Sequence, residues 1–225
     1  LFHSVSVESF SMSESEYKQL CTAGCTGVTL YQETYDRDLH SHVHRWGEKR
    51  DYANRLEAPE RALRAGIRVV GLGVLLGLGD YLYDVVALYQ HAVYLRRHYW
   101  RSGVMLSFPR LCPEHGHYRP GRPVDDTTLA QLVFAFRICL PDVHLVLSTR
   151  ESAAFRDGMA GLGVTRMSVA SRTTVGGYTE PGSAVGQFEV ADNRDINAFC
   201  AALRAKGLQP VFKNWDRTFS LFQGA

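Results

Sequence analysis

Two stretches hold most of the residue types that could grip a polar, flat ligand. The first is Tyr31-Gln32-Glu33-Thr34-Tyr35. An amide beside a carboxylate both donates and accepts hydrogen bonds, which suits a ribose or an amine; a solvated loop start accounts for the pair equally well. The second is glycine-rich, Gly71-Leu72-Gly73-Val74-Leu75-Leu76-Gly77-Leu78-Gly79-Asp80. No Gly-Lys-Ser/Thr follows it, so it is not a P-loop, and Leu76 stands where a dinucleotide fingerprint needs its third glycine. Glycines so placed let a flat ligand lie against a strand backbone. His40, His42 and His44 alternate, but they fall between a strand and a helix. Loop histidines without a second cluster of ligands are solvated far more often than metal-bound, and no metal site is assigned.

These residues need elements to position them. Short β-branched runs at Val5–Val7, Val28–Tyr31, Val69–Gly73, Val104–Phe108, His144–Thr149 and Thr165–Ala170 read as strands. Helical patterns fill Ser13–Ala23, Asp51–Ala65, Tyr81–Tyr99, Thr127–Leu140 and Ser152–Leu162, with Gly24, Gly66 and Gly163 placed as C-terminal stops. Pro59 should kink or divide the second of these helices. Repeated β-then-α units imply parallel strands with helical crossovers. Each strand is apolar along its body and polar beyond its C-terminal end: Glu8, then Gln32 and Glu33, then Asp80, then Ser107 and Arg110, then Ser148 and Arg150, then Ser168 and Ser171. Polar residues at successive strand ends are the pattern of a (β/α) barrel active site, whereas an open doubly wound sheet binds at one switch point. The expected architecture is therefore an α/β fold, a TIM-type (β/α) barrel represented by about its last six strands. It would occupy residues 1–190. Residues 191–225 would add a helix over Ala191–Gly207, capped by Asn193 or Asp195, and an extended piece over Gln209–Trp215, packed across the barrel.

Composition sets the outer bounds. At 225 residues and 45% hydrophobic, the chain can bury one sizeable core. A formal charge of +2 gives no strong pull toward nucleic acid or an anionic membrane. The apolar run Val69–Leu78 is broken by glycines and too short to cross a bilayer. The five cysteines, Cys21, Cys25, Cys112, Cys139 and Cys200, have no framework spacing, which suits a reducing, cytoplasmic setting. Cys21 and Cys25 read as one helix and its exit. The chain opens at Leu1 in the middle of an apolar/polar alternation, so a fragment is expected, with two barrel strands preceding it.

A family resemblance rests on particular residues. Arg55-Leu56, a helix ending Ala65-Gly66-Ile67, then Gly73-Val74-Leu75-Leu76-Gly77-Leu78-Gly79-Asp80 resembles a pattern shared by biotin-synthase-like radical S-adenosylmethionine enzymes, with Leu75 for the usual isoleucine and Asp80 for the usual glutamate. Five further blocks in order are similar to the tyrosine lyases of thiamine biosynthesis, the 2-iminoacetate synthases. They are Gly27–Tyr35, Arg55–Arg61, Ser107-Phe108-Pro109-Arg110-Leu111, Leu147–Ser152 and Gly176-Gly177-Tyr178. Arg96–Trp100 and Lys213–Asp216 lean the same way, and away from the hydrogenase-maturation tyrosine lyase that shares several blocks.

The resemblance implies S-adenosylmethionine and a 4Fe–4S cluster, a deoxyadenosyl radical, and scission of tyrosine to dehydroglycine (2-iminoacetate) and p-cresol. It places the cofactor's carboxylate on Arg55, whose planar fork matches it. The adenine falls along Gly73, Leu75 and Gly77 toward Asp80, and the ribose on Gln32 and Glu33. Arg150 becomes the candidate for the tyrosine carboxylate, with Ser148 and Ser107 nearby and Arg110 as a second candidate; the competing role for each arginine is an ion pair on the barrel rim. A thiazole synthase and an electron donor such as flavodoxin or ferredoxin are the implied partners. The C-x-x-x-C-x-x-C motif that holds the cluster is not among the 225 residues, and the family places it earlier. Ser9-Phe10-Ser11-Met12, Pro113–His117 and Val175 also depart from the family pattern. A non-catalytic binding module that has lost the cluster is the remaining alternative.

Overall fold

The computed structural model describes residues 4–111, 122–174 and 190–212. Pro113–His117, Val175, Gly176–Tyr178 and Lys213–Asp216 lie outside the described residues, as does the end of Gln209–Trp215.

Six parallel strands lie in chain order, each hydrogen-bonded to the next: β1 (Ser6–Glu8), β2 (Gly27–Thr29), β3 (Val69–Gly73), β4 (Gly103–Ser107), β5 (His144–Leu147) and β6 (Arg166–Met167). Helices join them: α1 (Glu14–Thr22), then α2 (Arg37–Val43) and α3 (Tyr52–Arg64), then α4 (Tyr81–His98), α5 (Asp126–Cys139) and α6 (Ala153–Met159). The strand order never reverses, and parallel strands in chain order joined by crossovers of one hand put their helices on one side of the sheet. That is the winding of a barrel rather than of a doubly wound sheet, and the sheet curls into a half-barrel.

Alternation along the strands decides what each face carries. Val28, Leu30, Val70, Leu72, Val104, Leu106, Leu145 and Leu147 are buried toward the helices. They join one core with Ala58 and Ala62 of α3, Leu88, Ala92 and Leu95 of α4, and Leu129, Val133 and Phe136 of α5. The residues between them in sequence form the concave face, which carries the polar groups.

Local chemistry fixes the helix ends. Ser13 and Glu16 close a capping box at the start of α1, with the Ser13 N–H donating to Glu16 Oε2 at 2.8 Å. Asp51, Asp80, Asp125 and Ser152 cap α3 to α6 in the same way. Gly24, Gly66 and Gly163 adopt the left-handed conformation expected of them, with φ of 92°, 104° and 84°. Two sequence expectations are corrected. Pro59 does not divide its helix: α3 runs continuously through it, with Ala58, Pro59 and Ala62 buried against the sheet. The histidine stretch is not a solvated loop either. It forms α2, capped by Asp36, and His40 is fully buried.

After β6 the chain returns at residue 190 and runs into α7 (Ile196–Ala205), capped by Asp195. The Ala191 and Asp192 N–H groups donate to the Thr149 carbonyl, tying this segment to the end of β5. Asp192 is buried against Arg156 of α6, which also donates to the Ser168 carbonyl. Arg194 bridges Asp192 and Asp157, at 2.7 and 2.9 Å. Phe199 of α7 packs under both guanidinium groups, 4.6 Å from Arg156 and 5.4 Å from Arg194. Among the described residues no helix is long and apolar enough to cross a membrane.

Candidate active site

The concave face encloses a cavity of about 310 Å³. Its wall alternates small, polar and a few apolar residues: Glu8 from β1, Thr29 from β2 and Tyr31 just beyond it, Gly71 from β3, Ser107 from β4, Val146 from β5, Arg166 from β6 and Ser168 just beyond it. A closed TIM barrel fills this space with branched apolar side chains. A polar concave wall with two glycines on β3 is instead the lining of a ligand site. A Cβ on Gly73 would sit 2.6 Å from the Tyr31 ring and 2.8 Å from the Ser107 carbonyl. Glycine there is what allows the Tyr31 ring to lie across β3. A Cβ on Gly71 would meet Thr29 Oγ1 at 2.4 Å in the same way.

At the mouth, β2 runs on to Glu33, which bridges Val74 in parallel fashion and has a φ of 71°. A left-handed backbone at a non-glycine residue is uncommon, so surrounding contacts must hold it. They do. Glu33 meets Lys49 at 2.8 Å, Arg55 at 3.1 Å and His44 Nε2 at 3.2 Å. Burial would raise its pKa, but His44, Lys49 and Arg55 outweigh that and hold it at about 2. Glu33 is thus a carboxylate throughout the physiological range. Arg55, itself buried, reaches from α3 with Nε donating to the Tyr31 carbonyl at 2.8 Å and Nη2 to Glu33. The expected cofactor residues Glu33 and Arg55 are therefore brought into contact. Gln32 beside them is buried, and its Nε2 has no partner among the described residues. Leu75 donates its N–H to the Glu33 carbonyl, Gly77 turns with φ 94°, and Asp80 caps α4 by accepting from the Leu82 N–H.

An orphaned buried amide, an ordered arginine–carboxylate pair and a glycine-lined strand end together fit a ligand with both charged and hydroxyl groups, as S-adenosylmethionine is. Gln32, Glu33 and Arg55 would hold its polar parts, and Gly73, Leu75 and Gly77 its flat part. The described residues contain no set of cysteines that fits an iron–sulfur cluster.

On the far side of the mouth, Arg150 and Ser148 follow β5. The Arg150 N–H donates to Ser148 Oγ at 3.3 Å, and its Nη2 donates to the Arg110 carbonyl at 3.1 Å. Arg150 lies within electrostatic reach of both Glu8 and Tyr31, so the first, second and fifth strands converge on one space. Burial raises the Glu8 pKa, with Arg150 and Lys49 opposing it. Arg110 is committed differently. It grips Glu151, meets Asp126 at 2.8 Å and donates to the Val124 carbonyl at 3.1 Å. That places it in an ion-pair network on the rim.

The roles of four residues are not legible in the sequence. Lys49 clamps Glu33 from a short 3-10 turn (Glu48–Arg50) and His44 from the end of α2, and no local pattern announces a contact of that kind. Asp84 of α4 is buried, accepting from the Tyr35 N–H at 2.7 Å and from Thr34 Oγ1 at 3.0 Å, and so anchors the loop that carries Glu33. Burial lifts its pKa to about 6 against those two hydrogen bonds. A carboxyl whose folded pKa lies above its unfolded value binds a proton in the folded state first, so its contribution to stability falls as pH rises from about 4 to about 6. Asp84→Asn is expected to flatten that slope by roughly 2–3 kcal/mol. Urea unfolding at several pH values checks this, and parallel profiles for the two proteins would contradict it. Arg166 is the fourth; it lies on the concave face with Ser168, which is just past the end of β6.

Comparison with known proteins agrees with this geometry. Residues 107–209 match the biotin and thiamin synthesis associated domain. Over 96% of its length the chain is 42% identical to 2-iminoacetate synthase of Escherichia coli K12, of which it covers 57%. The crystal structure of HydG, a maturase of the FeFe-hydrogenase, superimposes with a TM-score of 0.86 at 36% identity, over 94% of this chain and 46% of that one. Methylornithine synthase (PylB), at 16% identity and a TM-score of 0.67 over 92% of this chain and 59% of that one, shares the fold. The chain therefore spans a little over half the length of the curated relative it matches, and by sequence and by fold it is a homologue of the 2-iminoacetate synthases.

Proposed function

We propose that this chain is part of a radical S-adenosylmethionine carbon–carbon lyase that cleaves tyrosine to 2-iminoacetate and p-cresol for the thiazole of thiamine. The observation that carries the reading is the polar concave face, with the buried Arg55–Glu33 pair on one side of its mouth and Ser148 and Arg150 on the other. When bound, a 4Fe–4S cluster and S-adenosylmethionine would supply the radical chemistry that breaks the Cα–Cβ bond of tyrosine. The cysteine ligands of that cluster are supplied from outside these 225 residues.

The chain's own residues position and exclude. Arg55 offers a fixed cation to the cofactor's carboxylate, and Glu33, held ionised, offers acceptors to hydroxyl groups. Arg150 takes the tyrosine carboxylate, with Ser148 and Ser107 as polar neighbours, while Arg110 supports the rim. The wall of the half-barrel keeps water from the reacting atoms, so placement is the protein's main contribution to rate. The product is an unstable imine, which implies hand-over to a thiazole synthase, and the reductive step implies a donor such as flavodoxin or ferredoxin. Identity of 42% to 2-iminoacetate synthase against 36% to the hydrogenase maturase favours the thiamine branch.

The test uses the full-length protein with its cluster. Tyrosine, and not tryptophan, is expected to increase deoxyadenosine formation several-fold. Arg150→Ala is expected to raise the tyrosine concentration needed by about 100-fold while leaving the cluster intact. No response to tyrosine would overturn the substrate; an unchanged tyrosine dependence in the variant would remove Arg150 from the site.

A further inference from the structure

Arg166 is the cationic group of the cavity wall. It opens β6 and faces the concave side, in register across the sheet with Val146, Ser107 and Gly73. Its Nη1 donates to the Met105 sulfur at 2.9 Å, and a thioether is a weak acceptor. Its Nε is closed off from solvent without a hydrogen-bond partner, and no carboxylate pairs with it among the described residues. The two arginines that are fully buried do have one: Arg55 holds Glu33 and Arg156 holds Asp192, whereas Arg166 is half-buried. Burial lowers the Arg166 pKa with no acidic group opposing it. A half-buried guanidinium whose Nε is shielded and unsatisfied carries a cost in the folded protein, and a ligand oxygen placed there would satisfy it.

Depth decides which oxygen. Ser148 and Arg150 lie beyond the end of β5, at the mouth, whereas Arg166 pairs with Val146 inside the strand. Val146 is level with the Arg166 backbone, one residue inside the end of β5, and the guanidinium itself lies against the sulfur of Met105, whose backbone is one pair deeper in the sheet. Polar at the mouth, with apolar side chains and a cation at depth, is the outline of an amino acid with an aromatic ring and an oxygen on its far end. We propose that Arg166 receives the phenolic oxygen of the substrate and is the residue that selects tyrosine over phenylalanine. This rests on the tyrosine-lyase reading and adds a specificity determinant to it.

Equilibrium dialysis tests the assignment without turnover. The full-length protein, carrying its cluster and S-adenosylhomocysteine in place of the reactive cofactor, is titrated with labelled tyrosine and with labelled phenylalanine. The wild type is expected to bind tyrosine at least about tenfold more tightly. Arg166→Met fills the same space beside Met105 and is expected to weaken tyrosine to the level of phenylalanine while leaving phenylalanine unchanged. Arg166→Lys keeps the charge without the fork and is expected to fall between; it serves as the decisive variant if Arg166→Met does not fold. A variant that retains the tyrosine preference, or that weakens both ligands equally, overturns the assignment alone. A wild type that binds neither ligand overturns the tyrosine reading, and this assignment with it.

Discussion

Arg55→Ala is expected to weaken S-adenosylmethionine binding on the order of 100-fold, the usual scale for removing one partner of a buried, hydrogen-bonded charge pair. The side chain is 5% exposed and already fixed by the Tyr31 carbonyl and Glu33, so it meets a ligand carboxylate with little further loss of freedom. Lysine is a poor substitute. A point charge cannot span the carbonyl, Glu33 and a ligand at once, and Arg55→Lys should recover only part of the affinity. Glu33 keeps Lys49 and His44 in either variant, so its carboxylate is not stranded. Binding of S-adenosylmethionine to the full-length protein, measured beside its thermal unfolding, separates the two effects. A large loss of stability with unchanged affinity would make Arg55 a structural residue and move the cofactor elsewhere on the concave face.

Asp192→Ala is expected to cost about 3–5 kcal/mol of stability, because it leaves the Arg156 guanidinium buried without its carboxylate. The consequence reaches the site. Residues 191 and 192 hold the Thr149 carbonyl, and Thr149 lies between Ser148 and Arg150. Hydrogen bonds from Arg194 lead the effects that hold Asp192 at about 2, with Arg156 adding to them and burial opposing. A depressed folded pKa adds stability above the unfolded value near 4, and that stability disappears as pH falls from about 4 toward 2. Urea unfolding of wild type and variant at neutral pH and near pH 3 checks both statements. A neutral-pH difference below about 1 kcal/mol would show that the cluster is worth no more than a surface ion pair.

Much of this was readable from local sequence. The Ser13–Ala23 pattern announced α1, and Gly24, Gly66 and Gly163 announced where helices stop, because helical periodicity and left-handed turns depend on few neighbours. The uniform β-then-α rhythm gave parallel strands in chain order, and polar strand ends pointed to a barrel mouth. What sequence missed depends on distance in space. α2 is a single short helix whose His40 is buried beside Tyr52, 5.1 Å between ring centroids, and nothing in Asp38–His44 itself signals that packing. Pro59 passes inside α3 because the flanking alanines press that face on the core. Glu33 was singled out without its clamp, since His44 and Lys49 reach it from separate segments. Arg166 went unnoticed because β6 is only two residues long, too short for alternation to stand out.

The most direct measurement is product analysis from ring-labelled tyrosine, using the full-length protein reconstituted anaerobically with iron and sulfide and supplied with reductant and S-adenosylmethionine. The account predicts labelled p-cresol formed together with deoxyadenosine. Deoxyadenosine without p-cresol, or neither product from a protein that carries its cluster, would contradict it.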